Sequence, residues 1–132
     1  MNINELRIGS WIFDAGDEQK CFQVEQICKN NDGFSGYYIV FRNGSFKSSI
    51  DSDLIQPIGL TPEILEKCGF DYDASYEVPK VQKGNFILWD GFDGSFGANF
   101  GGLTRLDVSV QYLHQLQNLY FALTGEELEV KL

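Results

Sequence analysis

Between Val108 and Gly125 the chain contains no Asp, Glu, Lys or Arg, although 22% of the whole protein is charged. The same stretch carries a helical repeat. At about 100° per residue, Tyr112, Leu113, Leu116, Leu119, Tyr120 and Leu123 fall on one stripe, while Gln111, His114, Gln115, Asn118 and Ala122 face away. Thr124-Gly125 supplies the stop. A helix over 108–124 is therefore predicted, with the Leu113/Leu116/Tyr120/Leu123 stripe in the core. A solvated helix face normally carries Lys or Glu. Uncharged amides and one imidazole instead predict that Gln111, His114, Gln115 and Asn118 are withdrawn from water, under the chain's own strands or across a two-fold contact with a second copy.

Cover for such a helix has to come from the rest of the chain, which reads largely as β. Ser10–Phe13, Cys21–Ile27 and Tyr37–Arg42 are rich in β-branched and aromatic residues and are separated by the turn-forming groups Asp14-Ala15-Gly16-Asp17 and Asn30-Asn31-Asp32-Gly33. Asn43-Gly44 then reads as a type I′ hairpin turn into Ser45–Ser48. Short strands with tight turns predict a small antiparallel, SH3-like barrel over residues 1–58. A short helix is predicted over 61–69. Thr61 is its N-cap, Pro62 its first residue, Glu63 its acidic first turn, and Ile64, Leu65 and Cys68 its apolar side, ending at Gly69. Residues 76–105 return to β, with Tyr76–Val78, Asn85–Trp89 and Ser95–Phe100 joined by Asp-Gly turns. The expected fold is a single α+β domain over 1–132, a length that leaves room for one core.

Charge and composition exclude several partners. Ten Lys and Arg against nineteen Asp and Glu give a net charge of −9. That balance disfavours nucleic acid and anionic lipid, whose binding needs a surplus of cations. The 43% of hydrophobic residues argues against disorder. No basic segment followed by an apolar run opens the chain, and no apolar run approaches the roughly 20 residues of a membrane helix. A cytoplasmic location is expected. The acidic residues are scattered and interleaved with lysines, as on a solvated surface.

Candidates for chemistry are few. Cys21, Cys28 and Cys68 match neither zinc-ligand nor redox spacing and read as buried free thiols, so no metal or cofactor is expected. His114 is the single histidine, and no paired acid or nucleophile lies within sequence reach, which makes catalysis unexpected. The most unusual segment is the glycine-rich run after Trp89. It lacks the Lys-Ser/Thr of a phosphate loop and the acidic spacing of a calcium loop. Trp89, Phe92, Phe96 and Phe100, with Arg105 beyond them, nevertheless form an aromatic and guanidinium set able to clamp a planar ligand, beside the alternative of core-packing strands.

Three segments carry a family likeness: Asn4-Glu5-Leu6-Arg7-Ile8-Gly9-Ser10-Trp11, Pro57-Ile58-Gly59-Leu60-Thr61-Pro62-Glu63-Ile64-Leu65-Glu66-Lys67-Cys68-Gly69-Phe70, and Tyr112 to Leu128. Together they resemble a group of small hypothetical proteins of Bacteroidetes and of their phages and prophages. The resemblance runs nearly end to end, with residues 72–104 its most divergent part. It implies a bacterial or phage origin and carries no activity or catalytic residue. The function expected on these grounds is non-enzymatic binding to another protein or to itself. The alternatives are sequestration of a nucleotide-type immune signal through the Trp89 to Arg105 segment, and hydrolysis using His114.

Overall fold

The computed structural model describes residues 5–15, 20–29, 36–41, 46–49, 55–73, 75, 79–91, 94–100 and 104–132, with backbone alone at 46, 47, 49 and 104–108. The described residues form an α+β fold, with antiparallel sheets and two helices among them. It divides into two compact units, Met1–Ile58 and Gly59–Leu132.

The first unit holds strands β1 (Trp11–Asp14), β2 (Lys20–Gln23), β3 (Gln26–Lys29), β4 (Tyr37–Phe41), β5 (Phe46–Ser49) and β6 (Ile55–Gln56). Two three-stranded sheets result, in the orders β2-β1-β6 and β3-β4-β5. The expected strand Cys21–Ile27 is in fact two, because the chain changes partner at Val24–Glu25. Val24 N–H donates to the Ser10 carbonyl at 2.9 Å, whereas Glu25 N–H donates to the Val40 carbonyl at 2.8 Å. Both sheets direct side chains into one cluster of Leu6, Ile12, Val24, Ile39, Phe41 and Ile55. Phe22 closes it, its ring 5.6 Å from that of Phe41. The sheets are open, and no closed barrel of the SH3-like kind is formed among the described residues. The turns expected at Gly16-Asp17, Asn30–Gly33 and Asn43-Gly44 lie outside the described residues.

The second unit begins with helix α1 (Pro62–Lys67) and continues through β7 (Asp71–Asp73), β8 (Lys80–Lys83), β9 (Phe86–Asp90), β10 (Phe96–Phe100) and β11 (Thr104–Val110) to helix α2 (Leu113–Thr124). Its five strands form a meander in the order β11-β10-β9-β8-β7. Period-two alternation gives this sheet one apolar side: Val81, Phe86, Leu88, Phe96 and Ala98 are buried. α2 lies against that side, with the Tyr120 and Phe86 rings 5.8 Å apart, and Phe70 meets Phe86 edge-on at 5.9 Å. Residues 108–110, expected in the last helix, are the end of β11. Val108 and Val110 suit a strand, and the capping that starts α2 comes only at Gln111 and Tyr112. The strand expected at Tyr76–Val78 lies outside the described residues.

Candidate functional site

α1 is built as its sequence dictates. Thr61 Oγ1 accepts from Ile64 N–H at 3.2 Å, Glu63 and Lys67 occupy the helix ends that favour their charges, and Leu65 is buried. Gly69, at φ +86°, takes the left-handed turn that ends the helix and lets Phe70 N–H reach the Leu65 carbonyl at 3.0 Å. A lysine then crosses to the helix end. Lys83 Nζ donates to the Cys68 carbonyl at 2.9 Å and sits 5.4 Å from the centre of the Tyr120 ring. The Cys68 thiol is buried, and desolvation raises its pKa to about 11 against the weaker opposing charge of Lys83. Cys21 and Cys28 are half-buried rather than buried, and all three cysteines are free thiols.

α2 uses neutral groups for the same tasks. Gln115 Oε1 accepts from Gln111 N–H at 3.0 Å and Tyr112 N–H at 3.2 Å, and Leu116 N–H donates to the Tyr112 carbonyl at 3.1 Å. Gly125, at φ +74°, closes the far end with its N–H on the Phe121 carbonyl at 2.8 Å. The buried residues are Leu113, His114, Leu116 and Gln117, with Leu119, Tyr120 and Leu123 half-buried. The buried side is thus rotated from the expected stripe toward His114 and Gln117. Of the four residues predicted to leave solvent, His114 is buried, Gln115 and Asn118 are half-buried, and Gln111 is exposed. His114 stacks on Tyr112 with 5.9 Å between ring centres and 7° between planes. Phe121, 45% exposed, and Ala122 stand on the outward side beside Asn118.

The aromatic clamp is divided by strand register. Phe96 pairs with Asp90, Gly97 with Trp89 and Phe100 with Phe86, so Phe96 and Phe100 share the Phe86 side while Trp89 points to the other face. Phe100 lies 6.3 Å from the Phe86 ring within the apolar layer. These aromatics do not converge on one ligand. Arg105 pairs through its backbone with Asn99, its side chain lies outside the described residues, and so does Phe92. The exposed edge strand β7 presents Asp71 and Asp73. Hydrogen bonds from the Ser75 hydroxyl at 2.6 Å and Ser75 N–H at 2.9 Å lower the Asp73 pKa. No group of three His, Cys, Asp or Glu placed to hold a metal ion occurs among the described residues, and no helix there is long and apolar enough to cross a membrane.

Two features escaped the sequence reading. Lys83 lies in a Lys-Val-Gln-Lys strand with one apolar residue and gives no β signal. Gln117 falls beside Leu113 on the helix surface, so its burial follows from the arc that α2 turns to the sheet. No family model, curated protein or solved structure matches the chain.

Proposed function

We propose that the chain is a non-enzymatic cytosolic binding protein, of the phage or mobile-element type its resemblance implies, acting through protein contact at the outward side of α2. The observation that carries this reading is the absence of charge along the 12 residues of α2, whose outward side exposes Phe121 and Ala122 next to half-buried Asn118, Leu119 and Leu123. In a chain of net charge −9, an uncharged surface is where a second copy meets the first without like-charge repulsion. A helix of this length is about 18 Å long, so the contact is smaller than that of a permanent dimer and the association is weak.

Sedimentation velocity between about 10 μM and 1 mM tests it, a range that brackets weak self-association. The expected result is an average mass that rises with concentration and falls back to the monomer in Ala122→Glu, which sets like charges across the axis. A monomer at every concentration, or association unchanged by Ala122→Glu, overturns the reading.

A further inference from the structure

After Gly125 closes α2, residues 126–132 form neither helix nor strand. A segment of that kind is poorly ordered unless something ties it down. Leu128 and the Lys131 amide do so here. Leu128 is 4% exposed, and Lys131 N–H donates to the Lys67 carbonyl at 3.0 Å. Burial alternates along the segment, with Leu128 buried, Glu129 exposed, Val130 half-buried and Lys131 exposed. A period of two is the pattern of an extended chain laid on a surface with alternate side chains turned in. Glu129 and Lys131 line a groove of about 560 Å³ beside α1, together with Glu63, Glu66 and Lys83. The segment is thus seated along the end of α1 as a bound peptide would be.

The end of α1 is largely completed by other residues. Gly69 N–H donates to the Glu66 carbonyl and Phe70 N–H to the Leu65 carbonyl, both at 3.0 Å, and Lys83 Nζ holds the Cys68 carbonyl. The Lys67 carbonyl is the one the segment serves. Lys67 is exposed, so water replaces the Lys131 N–H when the segment leaves. Leu128 is also the single buried residue of the seven, whereas the sheet and α2 of the same unit bury Val81, Phe86, Leu88, Leu113 and Leu116. A contact this much smaller opens at a lower free energy than the unit that carries it.

We propose that residues 126–132 are an intramolecular ligand: a strap that docks on the end of α1 through Leu128 and the Lys131 amide, leaves while the rest of the unit stays folded, and thereby covers a site for extended leucine-bearing peptides. It is independent of the α2 contact. Amide hydrogen exchange on the full chain is the first test. The Lys131 amide should be about a hundredfold less protected than the Leu119 amide in the middle of α2. Equal protection overturns the proposal, because the strap would then open only with the whole unit. The second test uses full-length Leu128→Ser, in which the strap should be released while α2 and the sheet keep their protection; a variant that unfolds the unit makes Leu128 part of the core and also overturns it. Into this variant the N-acetylated peptide of residues 126–132 is titrated and followed by two-dimensional amide NMR. Saturable shifts at Lys67, Cys68 and Gly69 are expected by about 5 mM, since a tether of this length supplies its ligand at an effective concentration in the millimolar range. The wild-type chain, whose own strap competes, should bind the same peptide at least about tenfold more weakly, and the peptide carrying Leu128→Ser should not bind. No saturable shift in the variant, equal binding by the wild-type chain, or equal binding of the Leu128→Ser peptide overturns the proposal.

Discussion

α1 and α2 both end at a glycine with positive φ, yet one is held by charges and a hydroxyl cap and the other by amides and burial. α1 spans six residues, has a Thr61 cap, and carries Glu63 at its start and Lys67 and Lys83 at its end. α2 spans twelve, has no acidic residue in its first turn and no basic residue in its last, and buries Leu113 and Leu116 completely. Six residues are too few for a helix to persist alone, so every terminal group of α1 has to be satisfied locally. Twelve residues with a buried side draw their stability from packing. The difference teaches that signals concentrated at helix ends fix where a helix lies in the sequence, and that its facing is set by the surface it packs on.

The largest expected effect falls on the packed helix. Leu116→Ala should cost about 2–5 kcal/mol by denaturant unfolding, the range for a fully buried leucine that leaves a cavity. A loss below about 1 kcal/mol would show that α2 does not depend on burial and would erase the contrast. Next comes the lysine that ties the end of α1 to Tyr120. Lys83→Met keeps most of the aliphatic stem but removes the ammonium, so about 1–3 kcal/mol should be lost through the unpaired Cys68 carbonyl and the vacated ring. Unchanged stability would mean that Gly69 and the Lys131 amide cap α1 without it.

Burial of Cys68 adds a pH signature to the same helix end. The native thiol titrates near 11 and the unfolded one near 9.0. The folded state therefore holds its proton where the unfolded chain has lost it. The stability contributed by the buried neutral thiol is present below about pH 9 and is lost as pH rises toward about 11. Unfolding midpoints measured from pH 8 to 11 should decline over that interval, and Cys68→Ala should flatten the decline. An identical decline in the variant would assign it to other groups.

How much of this was legible follows the same division. Thr61, Pro62, Glu63 and Gly69 place α1 within two residues at either end, because each acts on the backbone beside it. The start of α2 lies later than expected, because the uncharged run that marks the helix continues back through Val108–Val110 of β11. Only the tertiary partner of β11 separates strand from helix there. The closeness in sequence of Trp89, Phe96 and Phe100 fits both a ligand clamp and core-packing strands. Which face each occupies depends on the register between β9 and β10, and composition carries no record of register. β8 carries no strand signal of its own for a related reason: Lys80–Lys83 offers a single buried residue, Val81, and its pairing comes from β9.

The smallest effects sharpen the contrast at the two N-termini. Thr61→Ala removes the hydroxyl that accepts the Ile64 N–H, and should cost about 1 kcal/mol. At α2 the corresponding group is the Gln115 amide, which accepts two N–H groups through Oε1 alone. Gln115→Glu preserves that oxygen and places a negative charge at the end of the helix where the backbone dipole favours one. The change should be neutral within about 0.5 kcal/mol or slightly stabilising. This reverses the outcome expected had Gln115 been enclosed against a partner or under strands, where a new carboxylate would pay its full desolvation. Gln115→Ala, which deletes the oxygen, should resemble Thr61→Ala. Thermal unfolding of the pair Gln115→Glu and Gln115→Ala separates capping from enclosure: a stable Glu with a weakened Ala identifies the cap, and a Glu variant weaker than the Ala one would show that the α2 N-terminus is closed to charge and that its facing, not its capping, governs the residue.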